Sequence, residues 1–337
     1  MNITAVVVAI VLACLITAFC GFWLLPILRK LHFGQTILEI GPKWHKGKQG
    51  TPTMGGLMFI IGIPVAVVVG YLFLQAGSSP ADDPQARILR SRMFYGVMLA
   101  LFFGLIGFLD DYLKVVKKQN EGLSEKQKMT LQILFGVIYL LLLYVSGTRS
   151  TTVTIPFIGS YNFGIFYYVF ALFAIISLSN AVNFTDGLDG LLSSVTFVLS
   201  IGYLIFTIML GMWEMTLLAG ALAGGCIGFL FWNHYPARVF MGDTGSLFMS
   251  GMVIALAFGT GMPFFVVLFG IIYVIEIGSV LLQRIYFKLT HGKRIFKMSP
   301  IHHHYEMSGY TEKQIVIMFS IITAIGSALG ILALNFI

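Results

Sequence analysis

The stretch FGIFYYVFALFAIISLSNAVNFTDGLDG, residues 163–190, changes chemistry partway along. Its first part is almost wholly apolar, long enough as a helix rising 1.5 Å per residue to cross most of a hydrocarbon core of about 30 Å. Asn180, Asn183, Asp186 and Asp189 then follow at steps of three. Such a step turns a helix by about 300°, so neighbours in the series lie close, while its two ends, nine residues apart, point in opposite directions. One helical face cannot hold all four. Gly187 and Gly190 predict that the helix ends near Asn183 and that a turn presents Asp186 and Asp189, with Asp189 opening the next helix. Capping accounts for one acid and leaves the series unexplained.

The rest of the chain repeats the apolar pattern. Of its 337 residues, 58% are hydrophobic and only 10% charged, and the mean hydropathy is +0.90. These values exclude an ordinary soluble domain. We read about ten apolar runs, at 2–28, 52–75, 92–109, 128–146, 164–182, 188–210, 215–233, 245–259, 261–287 and 313–336. The fold class expected is an all-α integral membrane protein of about ten transmembrane helices, with residues 1–337 forming one polytopic domain. The first run has no basic residue before it and is followed by Arg29 and Lys30, which argues for a retained helix entering from outside rather than a cleaved signal. Cys14, Cys20 and Cys226 all lie in apolar runs and offer neither a disulfide framework nor a metal spacing.

Basic residues favour the cytoplasmic side of short loops. With the amino terminus outside, 17 of the 21 Lys and Arg fall on inner segments, and only Arg87, Arg90, Arg92 and Arg149 fall outside. Both termini are therefore expected outside. The net charge of +7 is gathered on the inner face, where it meets the lipid bilayer or an anionic substrate, with no nucleic-acid polymer expected as partner. The outer segments QAGSSPADDPQARILRSR (75–92) and SGTRSTTVTIPFIGSYN (146–162) carry turn and small-hairpin signals instead.

Inner segments hold the remaining acids and histidines. In FLDDY (108–112), Asp110 and Asp111 are adjacent, point about 100° apart and cannot play identical roles. Lys114, at i+4 and i+3 from them, makes a helical ion pair the simplest reading. Acids at a membrane boundary are costly unless partnered, however, and a pair of carboxylates suits Mg2+. FMGDTGS (240–246) places Asp243 between glycines where a helix begins. It reads either as an N-cap or as a metal carboxylate beside amides open to phosphate. SPIHHHYE (299–306) is internal, and three consecutive histidines sweep about 200° around a helix, so they cannot all chelate one ion. One or two facing a polyanion is the more economical use. KGKQGTPTMGG (46–56) joins a basic loop to the second run, and Lys46 and Lys48 read as topogenic or as anion contacts.

No Ser-His-Asp or Cys-His arrangement and no Walker loop is evident. Carboxylates, lysines, histidines and glycine-opened amides on one face fit phosphoryl transfer to an acceptor held in the bilayer. A secondary transporter is the alternative from another class, although its acids usually lie near the midplane, as only Glu276 does in this pattern.

The segments GPKWHKGKQGTPTMGG, FLDDYLK, NAVNFTDGLDGL, PARVFMGDTGSL and KRIFKMSPIHHHYE occur in this order between residues 34 and 306. Together they resemble the bacterial phospho-N-acetylmuramoyl-pentapeptide transferase family, within the polyprenyl-phosphate N-acetylhexosamine-1-phosphate transferases. GTPTMGG and the triple histidine point to the muramoyl-pentapeptide branch rather than to a sister enzyme using UDP-N-acetylglucosamine. The resemblance implies transfer of phospho-N-acetylmuramoyl-pentapeptide from UDP-N-acetylmuramoyl-pentapeptide to undecaprenyl phosphate, giving lipid I and UMP, with Mg2+. It places the chain in peptidoglycan biosynthesis, and so in cell wall biogenesis, cell shape and cell division, as a multi-pass protein of the bacterial plasma membrane. Carried over by motif, Asp243 is the Mg2+ ligand; Asp110 and Asp111 are acids near the lipid phosphate, with Asp110 a candidate base or nucleophile. Lys114 and Lys118 contact phosphate, and His302, His303 and His304 line the diphosphate region. Lys48, Thr53, Asn183, Asp186, Asp189, Phe240 and Gln283 fall on the nucleotide side, with Phe240 a stacking partner for uracil. Leu38, Ser299 and Tyr305 depart from the family pattern, which touches fine specificity and none of these acids or histidines. Direct attack by the lipid phosphate and a covalent aspartyl intermediate both fit the motifs. Glycine-lined helix surfaces also leave room for a second copy, so a homodimer stays open.

Overall fold

The computed structural model describes residues 2–30, 48–76, 84–116 and 122–336. Leu38, Lys46 and Lys118 lie outside them. The helices are α1 (Asn2–Lys30), α2 (Leu57–Ala76), α3 (Pro84–Val116), α4 (Glu125–Val145), α5 (Phe166–Thr185), α6 (Leu191–Met209) and α7 (Trp213–Asn233). They continue as α8 (Gly242–Gly259), α9 (Val266–Phe269), α10 (Ile271–Leu289), α11 (Ile301–Glu306) and α12 (Glu312–Leu332). Between α4 and α5 the strands β1 (Thr152–Ile155) and β2 (Gly159–Asn162) form the small antiparallel hairpin, with Val153 opposite Tyr161. Among the described residues, nine helices are long and apolar enough to span a membrane, and the bent pair of α9 and α10 supplies a tenth if counted as one span.

Two spans differ most from the sequence reading. The run 261–287 is expected to be continuous, yet Pro263–Phe269 and Ile271–Leu289 meet at 86°. The bend lets Phe265 and Phe269 turn under α6, where the Phe269 ring lies 4.4 Å from Tyr203 and 5.2 Å from Phe206. Gly326 of α12 admits the bend, since a methyl there would collide with the Leu268 carbonyl. The third helix starts at Pro84 rather than 92, because Arg87, Arg90 and Arg92 interrupt its apolar pattern. Arg92 is accommodated by donating from Nε to Thr148 Oγ1 at 2.9 Å and from Nη1 to the Gly259 carbonyl at 3.1 Å.

Without a hydrophobic force between helices in lipid, close packing at small residues brings them together. Ala5, Ala9, Ala13, Thr17 and Gly21 form a stripe at every fourth residue of α1, and α7 lays Gly220, Gly224 and Gly228 against it. The packing that builds the site is between α3 and α8. A methyl at Gly107 would strike the Asp243 backbone carbonyl, and one at Gly251 would strike Ala100. This contact sets the end of α3, with Asp110 and Asp111, beside the start of α8, with Asp243. Contacts between their ends gather the C-terminal ends of α3 and α5 on one face with the N-terminal ends of α4, α8 and α12: Asp110 meets Lys128, Asn183 meets Asp243, and Glu312 meets the turn after α5.

Candidate active site

At this face Asp110, Asp111 and Asp243 each offer an oxygen within 4.8 Å of the others. Adjacent in sequence, Asp110 and Asp111 diverge as their spacing on a helix requires. Asp111 turns to the amino terminus of α8, accepting from the Thr244 amide at 2.9 Å, the Thr244 hydroxyl at 2.7 Å and the Asp243 amide at 3.3 Å. The free amides and the helix dipole at that terminus attract its oxygens. The close approach needs Gly242, whose φ of 71° is left-handed and whose added Cβ would lie 2.5 Å from Asp111 Oδ2 and 2.7 Å from Thr53 Oγ1. The α8 amides expected to stay open for phosphate are therefore taken by Asp111.

Asp110, fully buried, turns to lysines instead. Its Oδ2 lies 2.6 Å from Lys114 Nζ, and its Oδ1 lies 3.0 Å from Lys128 Nζ and accepts from the Leu123 amide at 2.8 Å. Asp243 does not cap α8, because Met241 occupies that position without a side-chain cap bond. Its Oδ2 lies 2.6 Å from Lys128 Nζ and 3.5 Å from Lys114 Nζ, and its Oδ1 accepts from Asn183 Nδ2 at 3.2 Å. The simple ion pair read for Lys114 is thus part of a cluster of three carboxylates and two ammonium groups. With its side chain 22% exposed, Asp243 is the most open of the three acids.

The asparagine and aspartate series separates as a single helical face could not. The helix α5 runs to Thr185 rather than ending near Asn183, so Asn183 projects from its last turn and also donates to Ser246 Oγ at 2.7 Å. Asn180 stays a turn deeper, donating to Gln132 Oε1 at 3.2 Å. Asp186 follows at the C-cap. Burial, then the nearby carboxylates of Asp243, Asp111 and Asp189, push its carboxyl well above the usual range. Asp189 does not open α6; Gly190, with φ 74°, precedes that helix. Asp189 instead receives Lys48 Nζ at 2.7 Å and the Ala237 amide at 2.9 Å.

Lys48 lies between two acids, since Glu312 Oε2 is also 2.7 Å from its Nζ. Burial opposes its charge, but the hydrogen bonds and charges of Asp189 and Glu312 outweigh burial and raise its pKa. Glu312 further accepts from the Asp189 amide at 3.1 Å. The loop that follows pairs with the approach to α8: the Phe240 amide donates to the Pro52 carbonyl at 2.8 Å, and the Gly55 amide to the Phe240 carbonyl at 2.9 Å. Thr53 and the half-buried ring of Phe240 are held beside Gly242 by this pairing.

The three histidines face different partners. His302 Nδ1 lies 3.0 Å from Glu276 Oε1, His303 Nδ1 lies 2.8 Å from Glu306 Oε2, and His304 Nδ1 accepts from the Lys297 amide at 3.1 Å. Gln283 spends its amide on the backbone, accepting from Ile295 and Phe296 at 3.1 and 3.0 Å and donating to the Phe296 carbonyl at 3.2 Å. It holds the segment leading to α11.

Sequence reasoning passed over Lys128 and Glu312 as site members. A lysine in the first turn of α4 opposes the helix dipole, a signal that negative charge compensates it. Glu312, in the first turn of α12, is where the dipole already favours an acid, so nothing singled it out.

Comparison with known proteins bears on the whole assembly. The profile of Glycosyl transferase family 4 matches residues 93–261, and signature 1 of the phospho-N-acetylmuramoyl-pentapeptide-transferases matches residues 48–60. A phospho-N-acetylmuramoyl-pentapeptide-transferase of Heliobacterium modesticaldum is 45% identical over 96% of this chain and 96% of its own. That of Clostridium perfringens is 46% identical over 95% of this chain and 96% of its own. The enzyme of Acetivibrio thermocellus is 42% identical over 99% and 97%. With end-to-end identity at this level and both motif regions matched, the chain belongs to the phospho-N-acetylmuramoyl-pentapeptide-transferase family.

Proposed function

We propose that the protein transfers phospho-N-acetylmuramoyl-pentapeptide from its UDP carrier to undecaprenyl phosphate, producing lipid I and UMP in peptidoglycan biosynthesis. An oxygen of the lipid phosphate forms a bond to the sugar-linked β-phosphorus. The bond from that phosphorus to the bridging oxygen breaks, and its electron pair leaves with UMP. The observation that carries the reading is the cluster of Asp110, Asp111 and Asp243 with Lys114 and Lys128 at one face of a helical membrane bundle. Such a site does its work by placing charge around a transferring phosphoryl group.

Three carboxylates with convergent oxygens are a hard donor set that fits Mg2+. Asp243, the most open acid, would hold it, whereas the oxygens of Asp110 face Lys114, Lys128 and the Leu123 amide and those of Asp111 are engaged by α8. Bound there, Mg2+ would neutralise charge on the diphosphate. Lys114 and Lys128 sit among the acids and can move their ammonium groups to phosphate oxygens. Direct attack by the lipid phosphate is favoured over an aspartyl intermediate, because both oxygens of the buried Asp110 already face lysines and an amide.

Lys48, Thr53, Asn183, Asp186, Asp189 and Phe240 are assigned to the sugar nucleotide. The face carrying the site holds 17 of the 21 basic residues in the sequence reading, which supports a cytoplasmic site in the bacterial plasma membrane with both termini outside. The test is UMP release by the purified protein from UDP-N-acetylmuramoyl-pentapeptide, with and without undecaprenyl phosphate and Mg2+, beside Asp243→Asn. Release that requires both additions and fails in the variant supports the proposal. Lipid-independent release over many turnovers, or equal use of UDP-N-acetylglucosamine, refutes it, and a phosphosugar trapped on Asp110 with a single equivalent of UMP released from donor alone replaces direct attack by the two-step route.

A further inference from the structure

Glu276 is fully buried in α10 and belongs to none of the roles described so far. An acid in a membrane helix is costly unless partnered and so calls for a function. Both of its oxygens are used on α11. Oε2 accepts from the Ile301 amide at 3.1 Å, and Oε1 lies 3.0 Å from His302 Nδ1. Against an ionised carboxylate Nδ1 is the protonated nitrogen, which fixes the ring orientation.

The other ring nitrogen is then the informative atom. His302 is 1% exposed, and its Nε2 is buried without a hydrogen-bond partner among the described residues. That nitrogen faces the turn between α5 and α6. A methyl at Gly187 would collide with Nε2 and lie 2.6 Å from Cε1. Gly187 lies between Asp186 and Asp189, the two acids of that turn. Buried polar atoms are nearly always paired, and one left over marks a place for a further hydrogen-bonding group.

We propose that Glu276 is a positioning residue for the transfer reaction. It acts through His302, holding Nε2 at the Gly187 turn to meet a hydrogen-bonding group of the sugar nucleotide. This inference rests on the function proposed above for the catalytic chemistry, but its geometric half does not. The transfer test compares Glu276→Ala, Glu276→Gln, His302→Ala and the double variant Glu276→Ala/His302→Ala for kcat and KM of UMP release. Each alanine variant is expected to lose at least tenfold in kcat/KM, and the double variant to lose little more than either alone, because both remove one unit. Glu276→Gln keeps an acceptor for Nδ1 and is expected to recover part of the loss.

A second readout does not depend on turnover. In protein labelled with 15N in its histidine rings, the His302 signals, assigned by their loss in His302→Ala, should report a protonated Nδ1 in the wild type. They should revert to the solvent-like tautomer in Glu276→Ala. Where that variant does not fold, Gly187→Ala tests the same contact from the other side and should lower kcat/KM while Glu276 is intact. Losses that add in the double variant, unchanged kinetics in a folded Glu276→Ala or Gly187→Ala protein, or an unprotonated Nδ1 in the wild type overturn the proposal. If the wild type releases no UMP, the proposed function fails, and the ring-nitrogen signature still decides the Glu276 contact.

Discussion

Replacing Lys128 by methionine tests the charge arrangement of the site most directly. Lys128 Nζ lies 2.6 Å from Asp243 Oδ2 and 3.0 Å from Asp110 Oδ1. With charge centres about 4 Å apart and an effective dielectric of about 20, each attraction is on the order of 4 kcal/mol before desolvation is counted. The side chain is 27% exposed, so solvent screens part of this, and the net effect expected is about 1–3 kcal/mol. At 1.36 kcal/mol per tenfold, this corresponds to a loss of roughly 5- to 150-fold in kcat/KM for UMP release. Lys114 remains, 3.5 Å from Asp243, which is why the loss should be partial. Methionine keeps most of the apolar stem, and Lys126→Met makes the same change in net charge at an exposed position of the same helix turn. One positive charge fewer among the acids should also lower the Mg2+ concentration that gives half-maximal rate. Equal behaviour of the two variants, or an unchanged Mg2+ dependence in Lys128→Met, would refute the reasoning.

Three further outcomes follow from other contacts. Glu312→Gln weakens one of the two ion pairs of Lys48 and should raise KM for the nucleotide donor about tenfold, for a net cost near 1.4 kcal/mol; a KM equal to wild type counts against the Lys48 assignment. Thr244→Val removes a hydroxyl 2.7 Å from Asp111 but keeps the amide bond. It should cost about 1.5–3 kcal/mol, read as a lower thermal-inactivation temperature, and no shift would mean that Asp111 does not anchor α8. The Asp186 carboxyl is raised well above 3.8 in the folded protein, so the folded state holds that proton longer than the unfolded chain does. Stability from this group therefore falls as pH rises from about 4 through the folded pKa. Asp186→Asn removes that loss, so its thermal midpoint should gain on wild type across this window, and a pH-independent difference would contradict the assignment.

Much of the bundle was legible because a bilayer imposes a simple rule on sequence. Every backbone polar group must be satisfied internally, so a spanning segment announces itself as a long apolar run. The start of α3 escaped that rule because Arg92 finds its partners on the hairpin approach and at the end of α8, far away in sequence. The bend between α9 and α10 escaped it because both arms are equally apolar, and only packing of Phe265 and Phe269 against α6 distinguishes a bent from a straight run.

The chemistry divides in the same way. Residue type and motif order marked out Asp110, Asp111, Asp243, the turn after α5 and the triple histidine, because charged groups are too costly in lipid to be retained there without purpose. The sequence alone thus determined the class of protein, most of its spans and the segments that carry its chemistry. Which acid faces which partner was decided by tertiary structure: Asp111 taking the α8 amides, Asp110 and Asp243 sharing Lys128, Glu312 joining Lys48, and Glu276 holding His302. Those pairings join residues up to 264 positions apart. They depend on how closely glycine-lined helices approach, a quantity that local periodicity does not encode.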